Sequence, residues 1–190
     1  MRNRIVIVPG IGNSGEQHWQ SHWQASHADV TRIAPSSWDA PAREDWVMAV
    51  EHAVREAGPR VVLVAHSLGC LAVAHWAARR RVAGGDSLAP VAGALLVAVP
   101  DPSAPVFPAE AQGFAPLPRE HLGFPSLIVA SDDDPYGSVD YAKRRAADWG
   151  GSLHRIGARG HINSASGLGH WPDGWALLRA FAGPAITSAA

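Results

Sequence analysis

Residues 63–73 read LVAHSLGCLAV, and the fold turns on what happens between His66 and Leu68. Before that point lies a short apolar run of strand character, Arg60 to Ala65; after it the chain continues as an apolar stretch of helical composition, Leu68 to Arg81. Ser67 sits at the junction with Gly69 two places on, which matches the G-x-S-x-G nucleophile elbow except that Ala65 replaces the first glycine. Such an elbow forces its serine into a strained conformation at the C-terminal end of a strand, and small flanking residues keep the turn free of clashes. Ala65 adds one methyl there, and Gly69 retains the close approach of the helix. Serine is also a common helix N-cap, so this stretch alone leaves nucleophile and cap balanced.

Outward from the elbow, short apolar runs recur, each followed by turn residues and a helix-like stretch. Strands are expected at Arg4 to Val8, Val30 to Ala34, Arg60 to Ala65, Gly93 to Val99, Ser126 to Ala130 and Ser152 to Ile156. Helices are expected at Glu16 to Ser26, Ala42 to Ala57, Leu68 to Arg81, Ser138 to Trp149 and Gly174 to Phe181. Strands that are apolar nearly throughout and alternate with helices indicate a mostly parallel sheet covered on both faces, an α/β three-layer sandwich. Between Pro100 and Phe124 repeated prolines preclude a long helix, and the segment is expected as an irregular excursion over the sheet edge. One domain is expected over residues 1–185, with residues 186–190 a frayed tail.

The composition narrows the function classes. A chain of 190 residues is long enough to bury roughly 70% of its unfolded surface. A formal charge of -1 argues against nucleic-acid binding, which calls for a strongly basic stripe. Cys70 is the only cysteine, so no internal disulfide can form, and its apolar neighbours mark an inert buried thiol. The apolar run Ile5 to Val8 is too short for a signal peptide, and no segment reaches the ~18 apolar residues of a membrane span. A cytoplasmic protein with no membrane partner is expected, and the sequence leaves any protein partner open.

A nucleophilic serine needs a base, a carboxylate to orient it and donors for the oxyanion, and in the elbow fold they follow in the order Ser, Asp or Glu, His. Ser131-Asp132-Asp133-Asp134-Pro135-Tyr136 follows the fifth strand and Arg159-Gly160-His161-Ile162-Asn163 the sixth. Both lie past the C-terminal ends of expected parallel strands, where open α/β sheets carry their sites. Asp134 is the first choice of orienter because it stands immediately before Pro135-Tyr136, at the turn into the next helix; Asp133 is the second, and Asp132 fits a loop cap.

Ten histidines compete for the role of base. His66 belongs to the elbow and is expected to pack beside the nucleophile, at the edge of the substrate site. His18 and His22 share a helix face at i, i+4, but no glutamate follows His18 as the zinc-protease motif requires, so no metal site and no cofactor are expected. His161 remains the base of choice. One oxyanion donor is the N–H of Leu68 at the helix N-terminus. The second is expected from Pro9-Gly10-Ile11-Gly12-Asn13 after the first strand, with Ile11 preferred and Gly12 the alternative; no Gly-Lys-Ser/Thr follows, which rules out a Walker loop.

These residues together resemble the retinoblastoma-binding protein 9 family of small serine hydrolases within the α/β-hydrolase superfamily. The resemblance runs through Val6-Ile7-Val8-Pro9-Gly10, Ala65-His66-Ser67-Leu68-Gly69, Asp133-Asp134-Pro135-Tyr136 and Gly160-His161-Ile162-Asn163. Bacterial members look closer still, sharing Asn13-Ser14 followed by His18-Trp19-Gln20, Trp38-Asp39, and Ser166-Gly167 leading to Trp171-Pro172. The resemblance implies Ser67 as nucleophile, Asp134 as orienter and His161 as base, and a compact sheet without a large lid domain. A strand order of 2-1-3-4-5-6 would bring Gly10-Ile11 beside Ser67.

The expected activity is therefore hydrolysis of an ester, in preference to an amide, of a small molecule through an acyl-enzyme on Ser67. Of the eight tryptophans, most suit core and helix-face packing; Trp38 and Trp171, in loops near the expected site, are candidates for an apolar acyl pocket together with Gly12 and His66. The competing reading is a hydrolase-fold interaction protein with a vestigial triad, because a fold does not guarantee its function.

Overall fold

The computed structural model describes residues 3–83 and 91–183; the expected frayed tail at 186–190 lies outside them. The chain runs β1 (Arg4–Val8), α1 (Trp19–Ser26), β2 (Val30–Arg32), α2 (Arg43–Ala57), β3 (Val61–His66), α3 (Leu68–Val82), β4 (Val91–Val97), β5 (Ser126–Ala130), α4 (Val139–Trp149), β6 (Ser152–Arg155) and α5 (Pro172–Ala182). The strands form one sheet in the order β2-β1-β3-β4-β5-β6, and every pairing is parallel. Among the described residues this is a compact three-layer α/β architecture with no large lid. Among the described residues no helix is long and apolar enough to cross a membrane.

Period-two alternation sorts the strand side chains between two cores. Val6, Val8, Leu63, Ala65 and Leu96 face the layer of α2, α3 and α4, while Ile5, Ile7, Val62, Val64, Leu95 and Val97 face α1 and α5. In α2 the buried residues Trp46, Val47, Val50, Ala53, Val54 and Ala57 repeat at helical spacing and so form one apolar stripe. Helix α3 is buried along most of its length because it lies over the middle of the sheet. Burial of each large side chain contributes roughly 1.5–3 kcal/mol, so these two faces supply most of the driving force.

Where the elements depart from expectation, a local cause is visible. Helix α1 begins at Trp19 rather than Glu16 because His18 is the N-cap, its Nδ1 accepting the Gln20 N–H at 3.2 Å. Helix α5 begins at Pro172, whose fixed φ suits the first helical position. The proline-dotted segment does not skirt the sheet edge: it crosses the helical layer. Gln112 bonds to the backbone of Pro41 and Arg43, Phe114 is fully buried edge-on to Trp46, and the Trp149 indole donates to the Pro118 carbonyl.

The register places the C-terminal ends of β1 and β3 side by side, with Val8 opposite Ala65. Gly69, in the first turn of α3, then passes so close to β1 that a Cβ there would lie 2.2 Å from the Val8 carbonyl oxygen. Ala65, by contrast, is fully buried in the core shared with α2, α3 and α4. Gly69→Ala is expected to abolish folding or lower stability by more than ~3 kcal/mol. Ala65→Gly is expected to lower it by only about 1 kcal/mol. Urea denaturation of the two variants checks the contrast.

Candidate active site

Ser67 occupies the junction of β3 and α3 with φ 53° and ψ -125°, outside the regions open to ordinary L-residues. Such a conformation costs about 1–3 kcal/mol and persists because its surroundings hold it. The Ser67 N–H donates to the Val97 carbonyl at 2.9 Å, and its own carbonyl accepts the Cys70 N–H at 2.9 Å. Its side chain makes no cap bond to α3. The hydroxyl is turned instead toward His161, with Oγ 2.8 Å from Nε2.

His161 is held from the other side by Asp134, whose two carboxylate oxygens lie 2.9 and 3.0 Å from Nδ1. A carboxylate only accepts, so Nδ1 carries the proton and the Nε2 lone pair faces the Ser67 hydroxyl. The Asp134 side chain is 2% exposed and also accepts the Tyr136 N–H at 2.9 Å, which fixes its plane. The Tyr136 ring covers the imidazole at 4.5 Å between centroids.

The loop that carries His161 is pinned residue by residue. Asp133 Oδ1 accepts the Ser131 hydroxyl and the Gly160 N–H, both at 2.7 Å, and these two bonds hold its carboxyl below the usual range. The Ser131 oxygen in turn accepts the Arg159 N–H at 2.8 Å. The carbonyl of His161 accepts from His66 Nε2 at 2.9 Å, and that of Ile162 accepts from the Trp19 indole at 2.8 Å. Asn163 then caps the 3-10 turn Ser164–Ser166 in a reciprocal capping box. Asp133 thus ties the fifth-strand loop to the sixth-strand loop, and Asp132 pairs with Arg155 at 2.9 Å.

On the opposite wall, Gly10 packs directly on Ser67. A Cβ at Gly10 would stand 2.9 Å from Ser67 Cβ and 3.4 Å from its Oγ. The Gly12 N–H is occupied by the Trp38 carbonyl at 2.9 Å, whereas the N–H groups of Ile11 and Leu68 donate to no partner among the described residues. Arg32 steadies this loop from behind by donating to Asn13 Oδ1 at 2.7 Å and to the Ser14 carbonyl at 3.0 Å.

A cleft of about 90 Å³ opens over Ser67 and Leu68, walled by Phe107, Pro108, Ala111, Tyr136 and His161. The sequence-based pocket candidates lie elsewhere. Trp171 is buried against Trp19 and Trp23 in the core under α1 and α5, Trp38 packs edge-on to Trp46, and neither lines this cleft. His66 is buried behind His161 and supports it instead of facing substrate. Phe107, Pro108 and Ala111 were not singled out by sequence reasoning, because a proline-rich segment gives no periodicity to show which side chain faces inward. Trp19 and Asp133, as supports of the His161 loop, could be found only from the fold.

His18 Nδ1 serves as the α1 cap, which leaves its buried Nε2–H without a partner, and its ring meets His66 at 4.8 Å. His22 pairs with His170 and not with His18. Among the described residues no group of three or more His, Cys, Asp or Glu is placed to hold a metal ion. Burial raises the Cys70 thiol well above its ordinary range, which keeps it protonated.

A serine hydrolase family model matches residues 5–180 of the chain. A solved structure from Pectobacterium atrosepticum, described as a YdeN-like hydrolase, is 31% identical, with 98% of this chain and 94% of that one covered and a TM-score of 0.81. The ydeN gene product of Bacillus subtilis is similar at 19% identity, with 95% and 98% covered and a TM-score of 0.73. The type II thioesterase BorB of the borrelidin biosynthetic cluster shares the fold at 16% identity, with 96% and 94% covered and a TM-score of 0.67. No curated protein matches the chain.

Two buried histidines make stability depend on acidity. Burial, aided by Arg32, lowers His18 from 6.5 to about 4, and burial holds His66 well below its ordinary value. Both are neutral in the folded chain, whereas in the unfolded chain they take up protons below about pH 6.5. The unfolded state then binds more protons, so stability falls as the pH drops from about 6.5 toward 4, with His18 alone accounting for ~3 kcal/mol across that window. Urea midpoints should fall between pH 7 and pH 5, and His18→Gln should flatten the dependence; an unchanged slope would contradict the assignment.

Proposed function

The chain belongs to the serine hydrolase family, and on that premise we propose that it hydrolyses small carboxylic esters, in preference to amides, through an acyl-enzyme on Ser67. The observation that carries this reading is the continuous hydrogen-bonded row from Ser67 Oγ through His161 to the buried Asp134. The same row, the elbow and the quoted motifs support reading the chain as a bacterial relative of the retinoblastoma-binding protein 9 family. Its single buried thiol suits a cytoplasmic setting.

In the first half-reaction Ser67 Oγ attacks the ester carbonyl carbon while His161 Nε2 takes the hydroxyl proton. Asp134 keeps Nδ1 protonated and stabilises the imidazolium. The carbonyl oxygen becomes an oxyanion, received by the N–H groups of Leu68 and Ile11; the occupied Gly12 N–H favours Ile11 as the second donor. The C–O bond to the leaving alcohol then breaks and His161 returns the proton to it. Water, deprotonated by His161, attacks the Ser67 ester and releases the acid by the same path. Each proton has a residue to hold it, so these steps call on no metal or cofactor.

The two aspartates separate in this scheme. Asp134→Asn is expected to reduce kcat for p-nitrophenyl acetate by ~10³–10⁴, because an amide cannot support the required tautomer and charge. Asp133→Asn retains an oxygen to accept the Gly160 N–H and is expected to stay within about threefold. The reverse order would transfer the orienting role to Asp133. A fluorophosphonate probe should label wild type and not Ser67→Ala; an unlabelled, folded wild type would favour the interaction-protein reading.

A further inference from the structure

The cleft over Ser67 is small, and its far wall belongs to the segment that crosses the helical layer. An apolar cavity of about 150 Å³ admits benzene, so at about 90 Å³ the cleft encloses about three or four carbon-sized groups. The wall residues Phe107, Pro108 and Ala111 face the nucleophile across this space. Two of the wall's backbone bonds are internal, Phe107 N–H to the Ala104 carbonyl at 3.0 Å and Ala111 N–H to the Pro108 carbonyl at 3.1 Å.

The wall is anchored as well as shaped. Immediately after Ala111, the Gln112 N–H donates to the Pro41 carbonyl at 3.0 Å and its carbonyl accepts the Arg43 N–H at 3.1 Å. Two residues further, Phe114 is fully buried between Trp46 and His75, with the His75 ring donating to its carbonyl at 3.0 Å. These contacts fix the Ala111 end of the wall against the core. Apart from His161, the lining carries no Lys, Arg, Asp or Glu, so a charged acyl chain would enter without a counter-charge.

We propose that the enzyme is selective for esters of short, uncharged acyl groups of about two to four carbons, with Phe107 setting the upper limit. The inference rests on the acyl-transfer reading of Ser67. The leaving alcohol is not bounded in the same way, since the cleft opens to solvent and the alcohol has only to reach His161 Nε2. Acyl length is thus read by a wall that sequence patterning could not reveal, while alcohol size is read weakly.

The test compares p-nitrophenyl acetate, butyrate and octanoate with wild type, Phe107→Ala and Phe107→Trp, alongside fluorophosphonate labelling of the same preparations. In wild type, kcat/KM for butyrate should exceed that for octanoate by at least about tenfold, since the extra methylenes find no enclosed space. Phe107→Ala should bring the two within about threefold by raising octanoate, and Phe107→Trp should lose butyrate while retaining acetate. Labelling with equal turnover of butyrate and octanoate by wild type would overturn the size limit alone. Labelling with no turnover of any of the three esters would overturn both the size limit and the preference for esters. Failure of a folded wild type to label would overturn the acyl-transfer reading beneath it.

Discussion

Gly69 has no room for a side chain because the first turn of α3 is pressed against the end of β1, with the Val8 and Pro9 carbonyl oxygens where a Cβ would be. This backbone-to-backbone contact fixes how sharply the chain turns out of β3. A gentler turn would let Ser67 relax toward an ordinary conformation and point its hydroxyl along the helix; the close approach instead holds it at φ 53° with the hydroxyl toward His161. The same contact brings Gly10 against Ser67 Cβ, so the loop bearing Ile11 lies beside Ser67. The strained turn and the placement of the Ile11 loop beside it follow from one packing constraint between β1 and α3.

His161 is positioned by different means, because its loop belongs to no regular element. It is supported by bonds from distant parts of the chain: Asp133, His66 and Trp19 each hold one backbone group of residues 160–162. Ile162, in a left-handed conformation with φ 49°, is fully buried and its carbonyl is satisfied by Trp19. Trp19 is itself wedged against Trp23 and Trp171 at 4.7 and 5.0 Å, contacts of about 0.5–1.5 kcal/mol each. The aromatic core under α1 and α5 thus has a second role, holding the imidazole in line with Ser67 and Asp134.

Much of this architecture is legible in the sequence, for identifiable reasons. Buried parallel strands such as Val61–His66 are apolar up to their last residue, and α2 carries a clean apolar stripe, so periodicity locates them within a few residues. The order Ser67, Asp134, His161 along the chain, each after a strand, is visible because the fold places functional groups at strand ends. What escapes is whatever depends on long-range docking. Tryptophan content does not show whether Trp171 faces a cleft or a core, nor that Asp133 spans two loops while its neighbour Asp134 meets the imidazole. The course of residues 100–124 is equally hidden, since Phe114 is a lone apolar anchor in a segment without period.

The central claim is that the strained turn at Ser67 presents the nucleophile to a carbonyl whose oxygen lodges between the N–H groups of Leu68 and Ile11. A crystal structure of the enzyme inactivated with a short-chain alkyl phosphonofluoridate tests it most directly. The account predicts a covalent bond from Ser67 Oγ to phosphorus, with the phosphoryl oxygen accepting from both N–H groups and the alkyl chain against Phe107. An unmodified Ser67, or an adduct whose phosphoryl oxygen points away from Leu68 and Ile11, would contradict it.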